Sequence, residues 1–430
     1  MTMAADSDNK KWLRYACVGW LVVALFYFYQ YILRVAPGIM VEELRYEFQL
    51  TAEQFSTFGS FYLYAYALCQ IPLGVLVDRI GVRRMVTGSL FLCIIGTLML
   101  AMSQTLIIAQ FSRILVGIGS ASSFMCALKM VVDYFPAGKR GFLMGLTLTL
   151  GTVGALFAGK PLVMMIDYFD WRSTMIVAAL LGILFLVMVF FGMRPLEKMK
   201  KERETQPALN FDVREMGQSV LTVLKNRRVM LYAILAIAVY TPLSVLADLW
   251  GVAFLMQKYQ LPRAEAAEFT MMMYLGMAVG CIFLPWLSEK YHVLNRNICW
   301  ATAGVFVLFA ALLYGPAVSS MVLVGMLIVL GILCGAEMLC FTGASQYATA
   351  RNAGTILGVV NTLNMLGGGL LQQFIGTIMD WLWHGEWQSE GVRHYSTQNY
   401  TQALSVLLVV VGICMSLSFL LPKDNKISSL

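Results

Sequence analysis

Six charged side chains lie inside long apolar stretches of the sequence: Arg34, Arg113, Lys129, Lys160, Asp248 and Glu337. Removing an ionised group from water is costly, so such residues usually line a route for an ion or a solute, or pair with one another. The sequence offers no paired catalytic carboxylates and no nucleophile with a base. The charges therefore indicate binding of a charged molecule rather than the making or breaking of bonds.

Three of the cations fall at a similar level in their apolar stretches. At a helix rise of 1.5 Å per residue, Arg34, Arg113 and Lys160 each lie about 10 to 14 Å from the centre of their stretch. Together they would attract a carboxylate or phosphate, to which arginine offers a two-pronged contact and lysine a single charge. We predict that these three residues bind the anionic part of a solute. The alternative, for Arg34 and Lys160, is a side chain that extends to the membrane interface.

Asp248 and Glu337 bring negative charge to the second part of the chain. Either is a candidate to carry a coupling proton, because a carboxyl group that is alternately exposed to water and shielded from it changes its protonation. The alternative is a permanent ion pair with one of the cations. Lys129 has a local partner four residues on, Asp133, which favours a structural salt bridge.

Uncharged polar residues would complete such a site. Gln30 lies one helical turn before Arg34 and shares its helix face, and Tyr66 lies in the next apolar stretch. Asn361 and Asn364 are three residues apart and could hydrogen-bond either a solute or a neighbouring helix. We predict that Gln30, Tyr66 and both asparagines contribute to solute binding.

The elements that hold these residues are long apolar segments. Of 430 residues, 59% are hydrophobic and 13% are charged, whereas soluble domains carry about 25% charged residues. A helix crosses a bilayer with about 20 apolar residues. Twelve such segments are predicted, near residues 13–38, 52–77, 84–103, 106–133, 141–165, 173–193, 229–256, 265–288, 298–316, 319–341, 354–380 and 402–421. The predicted fold is an all-α integral membrane protein with twelve transmembrane helices.

Lysine and arginine are concentrated in the connections that share a side with the N terminus. Positively charged connections stay in the cytoplasm, so both termini are predicted to be cytoplasmic, in a multi-pass protein of the inner membrane. The net charge of +7 reflects this distribution and does not indicate nucleic-acid binding. The expected partners are a small solute and the lipid bilayer, and the chain is expected to be a monomer.

An internal repeat divides the chain into two halves. Arg140–Gly145 matches Ala353–Gly358, 213 residues later, and at the same spacing Asp167 matches Asp380. We predict a six-helix bundle in residues 1–193, a cytosolic linker with a short amphipathic helix in 194–228, and a second six-helix bundle in 229–430. Two pseudo-symmetric bundles can rock against each other around a solute site between them.

A glycine- and arginine-rich motif follows the second predicted segment. Its fixed positions are Gly74, Asp78, Arg79, Gly81, Arg83 and Arg84. The motif resembles the signature loop of the major facilitator superfamily, and the resemblance implies a gating role for these six residues. It also implies that Asp78 faces the start of the eleventh segment, where the partial positive charge of a helix N-terminus would hold the cytosolic side shut. The second half has a degenerate copy at Pro285–Lys290, which predicts a weaker contact there.

Other kinds of chemistry are disfavoured. Gly154–Lys160 fits the start of a phosphate-binding loop, but Pro161 stands where a hydroxyl would hold magnesium. The nine cysteines contain no C-x-x-C pair, and the three histidines have no ligand at metal-binding spacing. We therefore expect no enzyme activity, no metal and no cofactor, apart from a coupling ion, which is expected to be a proton.

The resemblance and the buried charges together predict a secondary transporter that works by alternating access. Its solute would be a small anion or zwitterion, such as a carboxylate metabolite, an amino acid or a siderophore, imported with a proton. Efflux of a drug or metabolite is the alternative, although Lys160 interrupts the Gly-Pro pattern of the antiporters in the family. A membrane receptor or membrane-embedded enzyme is the alternative of a different class.

Overall fold

The computed structural model describes residues 2–196, 213–348, 352–389, 391–422 and 424. The first half is helical, with two of its crossings broken into two helices each. Its helices are α1 (Thr2–Ile39), α2 (Val41–Phe48), α3 (Ala52–Ile80), α4 (Val82–Ala101), α5 (Leu106–Ser120), α6 (Ser123–Tyr134), α7 (Ala137–Phe157), α8 (Lys160–Phe169) and α9 (Trp171–Gly192).

The second half repeats this arrangement and adds a short β-hairpin. Its helices are α10 (Val213–Lys225), α11 (Arg227–Pro242), a π-helical segment (Leu243–Trp250), α12 (Gly251–Tyr259), α13 (Arg263–Tyr291), α14 (Leu294–Tyr314), α15 (Ser320–Cys334), α16 (Glu337–Ser345), α17 (Ala353–Trp381) and α18 (Thr397–Ser418). The hairpin pairs β1 (Trp387–Ser389) with β2 (Val392–Arg393) in antiparallel fashion, between α17 and α18.

The predicted crossings agree with these bounds. Eleven helical stretches in the described residues are long and apolar enough to cross a membrane. The twelfth is α3, which is 29 residues long and packs along α17. Within the predicted linker, the amphipathic stretch is helical as α10, and residues 197–212 lie outside the described part of the chain.

Glycines let the helices of the second half approach each other at backbone distance. A side-chain carbon placed on Gly276 of α13 would lie 2.0 Å from the carbonyl oxygen of Ile328 on α15. One placed on Gly331 of α15 would lie 2.0 Å from the carbonyl oxygen of Met273 on α13. Small residues at such contacts stabilise helix pairs in lipid, where packing replaces the hydrophobic effect as the attractive force.

The seam between the two halves narrows toward one face. We call the face at which α1 begins and α18 ends the terminal face, and the opposite face the far face. A side-chain carbon on Gly376 of α17, near the far face, would lie 2.0 Å from Ser56 Oγ of α3. One on Gly358 would lie 3.5 Å from Ile71, and Gly354 has no atom within 4 Å. The halves therefore touch at the far face and separate toward the terminal face.

The α13–α15 contact gives a direct test of this packing. Gly331→Leu would force two backbones apart, and we expect it to lower the unfolding temperature of the detergent-purified protein or to prevent folding, since overpacking costs about 1–3 kcal/mol or more. The matched control is Gly325→Leu on the same helix, because Gly325 has open space around it. Equal losses for the two variants would show that the backbone contact at Gly331 does not limit the packing of α13 and α15.

Candidate functional site

Pro37 sets the local structure of α1 beside Arg34. Proline has no backbone N–H, so the carbonyl of Leu33, four residues earlier, lacks its helical donor. Arg113 of α5 supplies a replacement: its Nη1 donates to Leu33 O at 2.9 Å and its Nη2 donates to Arg34 O at 3.4 Å. The buried Arg113 side chain therefore stabilises the backbone of α1 around Arg34.

Pro242 begins a second irregular stretch, the π-helical segment of the seventh crossing. All eight of its residues are buried, including Asp248. Its backbone touches α1 directly, because a side-chain carbon on Gly38 would lie 2.6 Å from the carbonyl oxygen of Asp248. Wide helical turns of this kind are frequent at functional sites and turn a side chain away from the ordinary helical register. Here they turn Asp248 toward the first half.

A buried ion pair joins the two halves at this contact. Arg34 Nη2 lies 2.6 Å from Asp248 Oδ2, and Arg34 Nε donates to the same oxygen at 3.0 Å. Arg34 also donates to the hydroxyl of Tyr240, and the hydroxyl of Tyr274 donates to Asp248 Oδ1. Both charged side chains are almost fully buried, with 6% and 4% of their surface exposed. Each charge thus has one ionic partner and one phenol partner.

Glu337 forms a second buried polar group, at the break between α15 and α16. Its Oε1 accepts a hydrogen bond from Asn364 Nδ2 of α17 at 2.6 Å, and Asn364 Oδ1 is buried without a partner. Glu337 forms no ion pair with any residue in the described part of the chain. Its carboxyl group therefore faces a neutral amide, whereas Asp248 faces a cation.

The surroundings of the ion pair are polar and tightly packed. Gln30 Oε1 accepts a hydrogen bond from Tyr62 at 2.7 Å, and the guanidinium of Arg113 lies 4.8 Å from the centre of the Tyr62 ring. A cavity of about 10 Å³ adjoins the pair, which is room for about one water molecule. Two buried atoms of its lining have no protein partner, Arg113 Nε and Gln372 Oε1. This cavity is too small for an organic solute.

The structure does not bring every predicted residue to this centre. Lys160 begins α8 beyond a break at Gly159, is half exposed, and pairs with Glu268 of α13 at 3.1 Å. It therefore lies near the far face, apart from Arg34 and Arg113. Asn361 is only partly buried, and Tyr66 is buried on α3.

The predicted gating residues surround the turn between α3 and α4. Gly81 has φ of +81°, a conformation that suits glycine and makes the tight turn possible. A side-chain carbon on Gly74 would lie 3.2 Å from Met125 Sδ of α6, which agrees with its predicted role in close helix approach. Arg83 packs over the ring of Phe190, and Arg79 and Arg84 are exposed. The side chain of Asp78 lies outside the described residues, so its contact with α17 stays a prediction.

Comparison with known proteins decides the family. The model of the Major Facilitator Superfamily matches residues 19–371 of this chain. The chain belongs to the major facilitator superfamily. It is accordingly a multi-pass membrane transporter of small-molecule solutes and not an enzyme, and its twelve crossings are those of the superfamily fold.

Relatives within the superfamily are similar over most of the chain. The hexuronate transporter of Bacillus subtilis (strain 168) is 24% identical over 367 residues, which are 81% of this chain and 85% of that one. The probable L-galactonate transporter of Escherichia coli (strain K12) is 25% identical over 302 residues, 68% of this chain and 66% of that one. A solved bacterial homologue of the human lysosomal transporter Spinster, inward-facing and unoccupied, matches with a TM-score of 0.74 at 16% identity, covering 96% and 97% of the two chains.

The sequence analysis did not predict three features of the Arg34–Asp248 ion pair in this transporter: the π-helical segment, Tyr240 and Tyr274. Pro242 was the available signal, since a proline inside an apolar helix marks a place where helical hydrogen bonds are lost. The two tyrosines carry no such signal, because a phenol in an apolar helix packs as readily as it hydrogen-bonds.

The buried ion pair predicts an asymmetry between single and double substitutions in this transporter. Asp248→Ala leaves Arg34 buried without its counter-charge, which should destabilise the protein by about 3–5 kcal/mol. The double variant Arg34→Met with Asp248→Leu removes both charges at similar volume, and we expect its stability to return close to the parent. Unfolding temperatures in detergent measure both effects. A double variant as unstable as Asp248→Ala would show that the unpaired charge is not the cause.

Proposed function

We propose that this transporter imports a small carboxylate solute together with a proton by alternating access. The observation that carries the proposal is the Arg34–Asp248 ion pair, which joins two halves whose α3–α17 seam is tight near the far face and wider toward the terminal face. A guanidinium binds a carboxylate with two parallel hydrogen bonds. A solute carboxylate could therefore replace Asp248 on Arg34 and, in doing so, loosen the contact between the halves.

The proposed orientation puts the terminal face in the cytoplasm. Lysine and arginine concentrate in the connections on that side, as the positive-inside rule requires. With this orientation, α3 and α17 would touch near the outer face and lie further apart toward the cytoplasm. The protein would then reside in the inner membrane of a bacterium.

A proton is the proposed coupling ion because of the charge balance at the centre. With Asp248 and Glu337 both ionised, their two negative charges would match the two positive charges of Arg34 and Arg113, and all four side chains are buried. A monovalent anion would leave one uncompensated negative charge, and a buried uncompensated charge is costly. One proton per monovalent solute restores the balance. Glu337 is the proposed carrier, since its protonation breaks no ion pair.

The names of the relatives support a narrower class of solute. The relatives that we compared are named for a hexuronate and for L-galactonate, and both of these solutes are sugar acids. A sugar acid presents one carboxylate for Arg34 and several hydroxyls for the neighbouring polar groups. We therefore propose a sugar acid or a related hydroxylated carboxylate rather than an amino acid or a siderophore.

Reconstituted liposomes test the proposal. With a pH gradient imposed, acid outside, we expect accumulation of radiolabelled glucuronate or galactonate and none of glucose, which is similar in size but uncharged. Accumulation should disappear when the gradient is collapsed with a protonophore. Absence of flux for every carboxylate offered, in vesicles that contain correctly folded protein, would refute the proposed function.

Glu337→Gln should separate coupling from binding. The amide is isosteric but cannot take up a proton, so gradient-driven accumulation should fall at least tenfold while exchange of labelled for unlabelled solute across the membrane continues. Glu268→Gln is the matched control, because Glu268 is part of an exposed pair with Lys160 and should transport normally. Retained gradient-driven accumulation in Glu337→Gln would assign the proton to another group.

A further inference from the structure

The carboxylate of Asp380, in the last turn of α17, is held by four donors. Oδ2 accepts from the backbone N–H of Glu53 at 2.9 Å, and Oδ1 accepts from that of Ala52 at 3.2 Å. Arg393 Nη1 donates to Oδ1 at 3.0 Å, and the hydroxyl of Tyr395 donates to the same oxygen. Asp380 belongs to the second half, whereas Ala52 and Glu53 belong to the first.

The two backbone donors are the first N–H groups of α3. A helix N-terminus leaves such groups without partners and carries about half a positive charge, so a carboxylate placed there is stabilised. The next N–H, of Gln54, is bonded by the side chain of Thr51. A residue of one half thus completes the cap of a helix in the other half, at the far face.

The loop after α17 strengthens this contact. Arg45 of α2 donates to the carbonyl of Arg393 at 2.6 Å, and its guanidinium lies 4.7 Å from the centre of the Tyr395 ring. The Tyr395 hydroxyl donates to Asp380, and its oxygen also accepts from the N–H of Ala52 at 2.9 Å. Burial and the neighbouring Asp380 raise the pKa of the Tyr395 phenol, so it remains a donor at every physiological pH.

The internal repeat supplies a natural comparison. Asp167 occupies the position equivalent to Asp380, and Arg263, at the start of α13, occupies the position equivalent to Ala52. The Asp167 carboxylate lies 3.9 Å from Arg263 Nη1 and is 63% exposed, whereas Asp380 is 10% exposed. The same position is therefore a weak surface contact in one half and a largely buried, multiply bonded cap in the other.

We propose that Asp380 is a gating residue: its bond to the N-terminus of α3 holds the far face shut, and this bond must break before the far face can open. The contact lies at the narrow end of the α3–α17 seam, where Gly376 brings the two helices closest. The predicted contact of Asp78 with α17 would lie at the other end of the same two helices. Each end of the seam would then have a carboxylate from one helix on the N-terminus of the other.

Distance measurements between spin labels test the proposal. Labels at Tyr46 and Glu386, both exposed on opposite sides of the contact, would be introduced into a chain whose nine native cysteines are replaced. Asp380→Asn should raise the ratio of far-open to far-closed molecules about tenfold, which corresponds to about 1.4 kcal/mol. Asp167→Asn is the matched control and should leave the ratio unchanged. An effect of Asp380→Asn no larger than that of Asp167→Asn would overturn the proposal.

A second variant covers the case in which Asp380→Asn does not fold. Tyr395→Phe keeps the carboxylate and removes only the hydroxyl that donates to Asp380 and accepts from Ala52, so it should shift the distances in the same direction by a smaller factor. Labels at Tyr46 and Tyr168, both in the first half, should keep their distance in every folded variant. An unchanged Tyr46–Glu386 distribution in Tyr395→Phe would overturn the proposal if Asp380→Asn cannot be purified.

The inference rests on alternating access, which is part of the proposed function, but not on the identity of the solute. Spin-label distances need no substrate, whereas the liposome assay does. If carboxylate transport fails while the label distances respond to Asp380→Asn, the solute assignment is wrong and the gating role of Asp380 is supported. If transport succeeds and the label distances do not respond, the gating role of Asp380 is wrong and the solute assignment is supported.

Discussion

The cost of burying a charge is the constraint on which the centre of this transporter depends. Arg34 lies deep between two helical bundles, and in the described conformation its charge is balanced by Asp248 across the boundary between them. Neither side chain can leave the other without a substitute partner, because an unpaired ion in a low-dielectric interior costs several kcal/mol. The ion pair therefore couples two events, the exchange of partners on Arg34 and the separation of the halves.

Buried backbone groups impose a second constraint. It gives a charged side chain inside a membrane-spanning helix a possible structural role besides solute binding. Within the hydrocarbon core, a carbonyl that loses its helical donor must find another. Pro37 creates such a carbonyl at Leu33, and Arg113 bonds it. Arg113 thus has a structural reason to be buried and charged, whereas Arg34 uses its guanidinium on a carboxylate and a phenol. Arg34 and Arg113 both lie in apolar segments of the sequence, yet one forms an ion pair and the other bonds the backbone of α1.

The contacts between the halves are uneven from one face to the other. Near the far face, Gly376 of α17 admits α3 at backbone distance and Asp380 caps α3. Toward the terminal face, the same helices separate, and the space around Gly354 is open. The repeat relates the two halves, yet Asp167 and Asp380 differ sharply in burial. The internal repeat in the sequence therefore does not make the contact of Asp167 as strong as the equivalent contact of Asp380.

The sequence by itself determined the number of crossings and the family. These follow from local properties: bilayer thickness sets the length of an apolar segment, and the glycines and charges of the Gly74–Arg84 motif lie next to one another in the chain. It also identified Arg34, Asp248 and Glu337 as residues of interest, because charge in an apolar segment is conspicuous.

Only the tertiary structure decided which of these residues meet. Arg34 and Asp248 are 214 residues apart, and their contact depends on the π-helical turn and on how each helix is rotated. Rotation is poorly encoded in a membrane protein, since the lipid-facing and core-facing sides of a helix are both apolar. For the same reason the sequence could not show that Lys160 lies away from the centre, or that Asp380 caps a helix of the other half.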